Sequence, residues 1–284
     1  MKLTSGLGGQ LTVDLGALAR NWRALDKVSQ GALTAAVVKA DAYGTGIEMG
    51  ATALYAAGAR FFFVATPDEG AAVRTSLPEA HIFVLDGLYP GAANFYIRQN
   101  LMPVISSMEM LEDWLAKCVE RNEGYPSAFH FDTGMNRLGF RLNESVAVRE
   151  RISRLGYAPQ MVMSHLACAD VPNHEKNRTQ LALFSSVLNQ FPGIPASLAN
   201  SAGLMTGRDY HFQMVRPGIA LYGGRAVIGR KNPMANVVTL HAPILQVREA
   251  RTGETVGYGA AYSLSRDSRL AVIGHGYADG FQRS

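Results

Sequence analysis

Short apolar runs alternate with longer amphipathic segments along most of the chain. Eight of the runs are almost continuously apolar, as is typical of strands buried on both faces of a parallel sheet. We expect these strands over 33–39, 60–65, 81–85, 102–106, 127–132, 160–165, 195–200 and 214–222. The segments between them place apolar residues at helical spacing. We expect the helices over 15–28, 47–57, 68–75, 108–121, 143–155 and 174–189.

This alternation predicts an α/β fold, a (β/α)8 TIM barrel followed by the beginning of an all-β domain. An open doubly wound sheet is the alternative, but it needs fewer strands and usually a glycine-rich turn after the first one. After residue 224 the pattern changes to strands joined by short polar turns, which we expect over 237–247, 254–258 and 270–275. We therefore divide the chain into a barrel, 1–235, and an incomplete β domain, 236–284.

Composition narrows the class of protein. Hydrophobic residues make up 48% of the chain and charged residues 18%, a balance that favours a buried core and argues against disorder. The net charge is +4, but no block of Lys and Arg is longer than two residues, which argues against nucleic-acid binding. Two cysteines indicate reduced thiols in a cytoplasmic protein. No apolar run approaches the 18 residues of a membrane span.

Polar residues close several of the predicted strands, and in a barrel these C-terminal strand ends carry the chemistry. Lys39 ends a run of six apolar or small residues, 33–38. A lysine in that place must be desolvated or paired, and a partly buried lysine can form a Schiff base. Taken alone, Lys39 would more readily be an exposed lysine at a strand end.

The loops after strands seven and eight often bind phosphate in barrels. Here they contribute the Ser201 hydroxyl and the backbone N–H groups of Gly218 and Ile219. Together with Lys39 they suggest pyridoxal phosphate, with its aldehyde on the lysine. Arg216 would then face the ring nitrogen, and because a guanidinium keeps its proton it can only donate a hydrogen bond there. The cofactor is then a weaker electron sink, which favours removal and return of an α-proton over decarboxylation or transamination. Arg216 could otherwise be an ordinary salt-bridge arginine.

Residues 36–44, AVVKADAYG, resemble the cofactor-lysine signature of alanine racemases. Further motifs of that family follow in the same order at 130–139, 164–165, 200–202, 215–223, 256–262 and 276–280. The resemblance covers essentially the whole chain. It implies a fold-type III pyridoxal-phosphate enzyme that interconverts L- and D-alanine and supplies D-alanine for peptidoglycan. It also implies a head-to-tail homodimer, in which the β domain of one subunit completes the active site of the other.

The same resemblance assigns residue roles. Lys39 and Tyr262 of the other subunit would be the two catalytic acid–base groups, and Arg137 would bind the substrate carboxylate. The cofactor would be held by Lys39, Tyr43, Leu85, His165, Asn200, Ser201, Arg216, Gly218 and Ile219. Two bases suit racemisation, because the proton leaves one face of the α-carbon and returns to the other. An unperturbed phenol titrates near ~10, so Tyr262 needs cations nearby to act as a base.

This sequence departs from the family at two places. His130 stands seven residues before Arg137, where the family often has a carbamylated lysine. Family members also continue for many more residues, so we expect a C-terminally shortened member. No metal site is expected, because His130 and Asp132 have no third ligand at useful spacing.

Three alternatives use the same scaffold. The first is a racemase of broader amino-acid specificity, for serine or for several amino acids. A decarboxylase is disfavoured by Arg216, because a carboxylate facing the ring nitrogen would suit that reaction better. A pyridoxal-phosphate carrier without turnover belongs to a different class, and the motif at 256–262 argues against it. Without the resemblance, Tyr262 would be taken as a packed β-domain aromatic and His165 as a core histidine.

Overall fold

The computed structural model describes residues 8–282, which divide into two compact units. One unit comprises 14–237, and the other joins 8–13 to 238–282. The sequence-based boundaries 1–235 and 236–284 stay a prediction, and their ends, 1–7 and 283–284, lie outside the described residues.

The described residues form fifteen strands, nine α-helical segments and four 3₁₀ turns. The strands are β1 Gln10–Val13, β2 Leu33–Thr34, β3 Ala36–Val37, β4 Phe61–Val64, β5 His81–Val84, β6 Met102–Ile105, β7 Ala128–His130, β8 Met161–Met163, β9 Ala196–Ser197, β10 Met214–Val215, β11 Val238–His241, β12 Ile244–Ala250, β13 Thr255–Val256, β14 Tyr262–Ser263 and β15 Ser268–Ile273. The helical segments are α1 Leu15–Ser29, α2 Lys39–Gly44, α3 Ile47–Ala57, α4 Pro67–Ser76, α5 Ala93–Arg98, α6 Met108–Arg121, α7 Ser145–Ser153, α8 Glu175–Leu188 and α9 Ser201–Thr206.

The unit 14–237 is a closed (β/α)8 barrel, which confirms the predicted fold class. Strands β3 to β9 form one parallel sheet in sequence order, and β2, just before β3, pairs in parallel with β10. The Gln213 N–H donates to the Ala196 carbonyl at 3.1 Å, and the Arg216 N–H donates to the Ala199 carbonyl at 2.9 Å. These bonds join the eighth strand to β9 and close the ring.

Apolar side chains fill the interior of the barrel. Ten buried residues form this core, namely Ala35, Val37, Phe63, Phe83, Met102, Val104, Ala128, Met161, Met163 and Met214. Phe63 and Phe83 stack with ring centroids 4.8 Å apart. Because the interior is packed in this way, a ligand can bind only at an end of the barrel.

The helices begin and end where local chemistry predicts. The Thr66 side chain accepts the Glu69 N–H, and the Glu69 side chain accepts the Thr66 N–H, so a capping box starts α4 with Pro67 at its first position. Asn122 ends α6 in the left-handed conformation. The observed ranges of α3 and α6, 47–57 and 108–121, are those predicted. Three short helical segments, α2, α5 and α9, lie outside the predicted helices.

The strands are shorter than the apolar runs that predicted them. The eighth strand, expected over 214–222, ends at Val215, because Pro217 has no N–H for the ladder and 219–224 turn back on themselves. The first run, expected over 33–39, gives β2 and β3, and Lys39 lies after them in α2.

The second unit consists of antiparallel strand pairs. β1 pairs with β11, β12 with β15, and β13 with β14. The run predicted as one strand over 237–247 is divided between β11 and β12, with Pro243 between them. Among the helices of 8–282, none is both long enough and apolar enough to span a membrane.

Candidate active site

A cavity of about 560 Å³ opens at the C-terminal ends of the barrel strands. Ten of the eleven site residues predicted from the sequence line it. They are Lys39, Tyr43, Leu85, Arg137, His165, Asn200, Ser201, Arg216, Gly218 and Ile219. The exception is Tyr262, which belongs to the second unit and is 62% exposed.

Lys39 stands at the start of an unusual turn. The four residues after it, Ala40 to Tyr43, are all left-handed, with φ between 52° and 56°. Each residue with a side chain costs about 1–2 kcal/mol in this conformation, so the surroundings must hold the turn in place. Lys39 directly precedes the turn and Tyr43 is its last residue, and both line the same cavity.

Hydroxyl and backbone groups converge in one corner of the cavity, beside α9. The Ser201 hydroxyl oxygen accepts the Gly218 N–H at 2.8 Å and the Ala220 N–H at 3.3 Å. The Tyr43 ring stacks on Tyr222 with centroids 4.6 Å apart, and its hydroxyl lies against Gly218. A Cβ on Gly218 would collide with that hydroxyl and lie 3.1 Å from the Tyr43 Cζ. Such a corner of small donors suits a phosphate.

Asn200 begins the helix at this corner. Its side chain accepts the Gly203 N–H at 3.0 Å and donates to the Leu166 carbonyl at 3.2 Å. Asn200 also forms a parallel bridge with Arg216 on the neighbouring strand. The amide therefore fixes the start of α9 relative to the loop after β8.

Arg216 is a buried cation, only 3% exposed. It donates to the Ser197 hydroxyl, to the Ser164 carbonyl at 2.6 Å, and lies 3.4 Å from the His165 Nδ1. Among residues 8–282 no carboxylate forms an ion pair with it. Burial lowers the pKa of Arg216 to about 9, which still leaves the guanidinium protonated at neutral pH. It is a fixed donor at the cavity wall.

Two histidines of the cavity are neutral. Burial, followed by the Arg216 cation, lowers the pKa of His130 to about 3, although the Asp132 carboxylate opposes the shift. Burial and the same cation hold the pKa of His165 well below its usual range. The imidazole of His130 therefore offers Arg137 no negative charge.

The His130 pKa predicts an acid-side loss of stability. In the unfolded chain the His130 imidazole becomes protonated as the pH falls through about 6.5, whereas in the folded chain it becomes protonated only near pH 3. The free energy of unfolding therefore falls as the pH drops through this window, by up to about 1.4 kcal/mol per pH unit from this group. We expect His130→Gln to show a shallower fall in urea unfolding between pH 6.5 and 4. The exposed His241→Gln should keep the wild-type slope, and equal slopes for all three proteins would contradict the assignment.

The loop that carries Arg137 is held by hydrogen bonds among its own residues. The Asp132 carboxylate accepts the N–H groups of 134–136 at 2.8 to 2.9 Å. The Phe140 N–H donates to the His130 carbonyl at 2.8 Å, and the Asp132 N–H donates to the Phe140 carbonyl at 2.9 Å. These bonds close the loop at its base and leave Arg137 exposed at the cavity mouth.

Gln180, which sequence reasoning missed, ties two site loops together. It is fully buried on α8 and donates to Thr133 Oγ1 at 3.1 Å and to the His165 carbonyl at 2.9 Å. Its side-chain oxygen accepts the Ala167 N–H at 2.9 Å. Its place on a helix and its distance in sequence from these partners leave no local signal from which the role could have been predicted.

Positive charge dominates the lining. The lining contains four cationic side chains and two carboxylates. The cations are Lys39, Arg137, Arg216 and Arg225, and the carboxylates are Asp86 and Asp170. Arg225 and both carboxylates were missed by the sequence analysis, although Arg225 could have been found as part of the loop after the eighth strand. An excess of cations suits an anionic ligand. Among residues 8–282 no group of three or more His, Cys, Asp or Glu side chains could bind a metal ion.

Comparison with known proteins gives the same family over both units. Residues 13–226 match the family model of the alanine racemase N-terminal domain, and 237–284 match that of the C-terminal domain. The alanine racemase of Rhizobium meliloti is 51% identical over 97% of this chain and 73% of its own length. The biosynthetic alanine racemase of Agrobacterium fabrum is 52% identical over 97% of this chain and 70% of its own length.

Solved structures have the same fold. Alanine racemase from Bartonella henselae, crystallised with covalently bound pyridoxal phosphate, superposes with a TM-score of 0.90 at 37% identity, over 97% of this chain and 77% of that one. A histidine racemase from Leuconostoc mesenteroides superposes with a TM-score of 0.81 at 25% identity, over 98% and 77%. With the family models matched over most of its length and relatives above 50% identity, the chain belongs to the alanine racemase family.

Proposed function

We propose that this protein interconverts L- and D-alanine with pyridoxal 5′-phosphate and supplies D-alanine for peptidoglycan. The observation that carries the proposal is the convergence of nine residues from family motifs spread between 39 and 219, together with Leu85, on one cavity at the barrel end. The relatives named alanine racemase support the choice of alanine.

The residues present fit pyridoxal 5′-phosphate. Lys39 offers a primary amine in the cavity, and among the described residues its amine has no hydrogen-bond or ion-pair partner. The corner formed by Ser201, Gly218 and Tyr43 offers the Ser201 and Tyr43 hydroxyls as donors for the phosphate. The volume of about 560 Å³ lies in the usual range for small-ligand sites. When bound, pyridoxal phosphate would withdraw electrons from the substrate α-carbon and acidify its hydrogen.

Arg216 restricts which reaction follows. A guanidinium keeps its proton at neutral pH, so it can donate to a pyridine nitrogen but cannot protonate it. Its place is set by the Ser164 carbonyl and the Ser197 hydroxyl, which accept its N–H groups. Without a carboxylate there, the electron sink stays weak, and removal and return of the α-proton are favoured over decarboxylation or transamination.

We assign the two acid–base roles to Lys39 and to Tyr262 of a second copy of the chain. One group on each face of the substrate would remove and return the proton without rotating the alanine. Arg137, exposed at the cavity mouth, would bind the substrate carboxylate. This assignment makes the protein a homodimer in which the barrel, 1–235, binds the cofactor and the β domain, 236–284, supplies the tyrosine.

Racemisation in heavy water tests the proposal. The protein is loaded with pyridoxal 5′-phosphate and incubated with L-alanine, and both enantiomers and their deuterium content are followed by chiral chromatography with mass spectrometry. We expect D-alanine that carries deuterium at the α-carbon. Bound cofactor without exchange would favour the carrier, and release of carbon dioxide would favour the decarboxylase. Parallel assays with serine and histidine test a racemase of broader specificity.

The phosphate corner carries its own prediction. In Gly218→Ala the new methyl group meets the Tyr43 hydroxyl and Cζ, so the whole stacked ring must move. We expect the dissociation constant of pyridoxal 5′-phosphate, measured by absorbance titration, to rise about tenfold or more, the effect of losing one or two phosphate contacts. The control is Gly207→Ala, whose methyl group lies 3.9 Å from Tyr210. Equal affinities of the two variants would place the phosphate elsewhere.

We also propose a cytoplasmic location. Cys118 and Cys168 are both free, and Cys118 is buried. Unpaired cysteines are typical of a reducing compartment. Fractionation of cells that express the protein, followed by immunodetection, tests this proposal.

A further inference from the structure

The carboxylate of Glu69 lies between two segments of the cavity wall. Its Oε1 accepts the Ala40 N–H at 2.7 Å and the Asp41 N–H at 3.3 Å. Its Oε2 accepts the Ala65 N–H at 2.7 Å and the Thr66 N–H at 3.4 Å. One side chain therefore joins the turn after Lys39 to the end of β4.

The turn that Glu69 holds is the strained one. Ala40 and Asp41 are the first two of its four left-handed residues, and both donate their N–H groups to the same carboxylate oxygen. An anchored start fixes the direction in which the whole turn leaves the strand. Lys39 directly precedes the turn, Tyr43 is its last left-handed residue, and both line the cavity, so the orientation of the turn sets their distance from each other.

A carboxylate is the side chain that this position requires. All four partners of Glu69 are N–H donors, and an ionised carboxylate has only acceptors. The amide of a glutamine would point its NH2 group at one pair of donors and lose that pair. Capping of α4 alone would not require both oxygens, because Ala40 and Asp41, which donate to one of them, lie outside that helix.

We propose that Glu69 is a positioning residue, which holds the left-handed turn after Lys39 and so sets the place of the Lys39 amine relative to the phosphate corner. The inference rests on the proposed function, in which Lys39 and that corner bind one pyridoxal 5′-phosphate molecule. Loss of the Glu69 contacts lets the turn relax, and the amine and Tyr43 no longer meet both ends of the cofactor together.

If Glu69 only stabilised α4, the effect of replacing it would come from the capping box that starts this helix. The Thr66 hydroxyl accepts the Glu69 N–H at 3.3 Å, so Thr66→Ala weakens the same helix start without removing the carboxylate. Asp68→Asn removes a neighbouring charge from the first helical turn and leaves the Glu69 bonds in place. These two variants match Glu69→Gln for its effects on the helix and differ from it in the bonds to Ala40 and Asp41.

The experiment has two readouts. Residue-resolved hydrogen–deuterium exchange of the cofactor-free protein reports on the Ala40 and Asp41 amides, and absorbance titration gives the dissociation constant of pyridoxal 5′-phosphate. In Glu69→Gln we expect exchange at both amides to be about tenfold faster and the dissociation constant to rise about tenfold, the loss of one or two hydrogen bonds. Thr66→Ala and Asp68→Asn should stay within about twofold of the wild type in both.

Wild-type affinity and exchange in Glu69→Gln would overturn the proposal, as would equal effects in Thr66→Ala. If the glutamine variant does not fold, Glu69→Asp is measured, since its shorter arm cannot reach both donor pairs and should show the same loss. In the wild type itself the Ala40 and Asp41 amides must be protected, and free exchange there also overturns the proposal. A wild-type protein that binds no pyridoxal 5′-phosphate but protects both amides would refute the proposed function, and this inference with it.

Discussion

Lys39→Ala is expected to abolish racemisation, with kcat/KM lowered by about 10⁴-fold or more, the upper range for loss of an acid–base group. Lys39 is the one lysine among the described residues that line the cavity, so no other amine there can take its place. Because its amine has no partner among those residues, thermal unfolding should be nearly unchanged. The assay is chiral chromatography of alanine, beside the visible absorption of the cofactor and its borohydride-reduced mass adduct.

The control for this variant is Lys27→Ala, an exposed lysine in the last turn of α1. It should keep the wild-type rate, absorption band and adduct. A Lys39→Ala protein that still shows the band and forms the borohydride-stable adduct would assign the cofactor to another amine. Such a result would remove the basis of the proposed mechanism.

Tyr262→Phe is expected to lower the rate of racemisation by about 10² to 10⁴-fold, while cofactor affinity stays at the wild-type value. Tyr262 is not among the residues assigned to hold the cofactor, so the loss of its hydroxyl group should leave cofactor binding unchanged. With one of the two bases lost, the α-hydrogen of only one enantiomer should still exchange in heavy water. Exchange of L- and D-alanine is therefore measured separately, by mass spectrometry.

The matched control is Tyr277→Phe, because Tyr277 in the same unit is 64% exposed, against 62% for Tyr262. Its rates should equal those of the wild type. Mixing subunits tests whether Tyr262 acts from the second chain. The Lys39→Ala and Tyr262→Phe proteins, each strongly impaired alone, are dissociated and reassociated together. About a quarter of the wild-type activity should be recovered, since half of the dimers then have one intact site. No recovery from a mixture proven to contain hybrid dimers would show that both bases belong to one chain.

Local patterns in the sequence determined the fold class. Continuous apolar runs separated by amphipathic segments can be buried only as parallel strands covered by helices, and eight of them suffice to close a barrel. Helix ends are also local, because a cap such as Thr66 with Glu69 acts over three residues. Ten residues of the cavity could be predicted, since strand ends must meet at one rim wherever the strands are parallel and in order.

Only the tertiary structure decided how the site is held. The left-handed turn after Lys39 conflicts with the preferences of its residues and exists because Glu69, some 29 positions away, accepts two of its N–H groups. Gln180 likewise acts on loops whose nearest partner, Ala167, is 13 residues distant. Apolar periodicity reports which face of an element is buried, whereas hydrogen bonds between distant loops depend on how the elements pack. For that reason the sequence by itself determined the barrel and the chemistry at its rim, and the packing alone decided what keeps that chemistry in place.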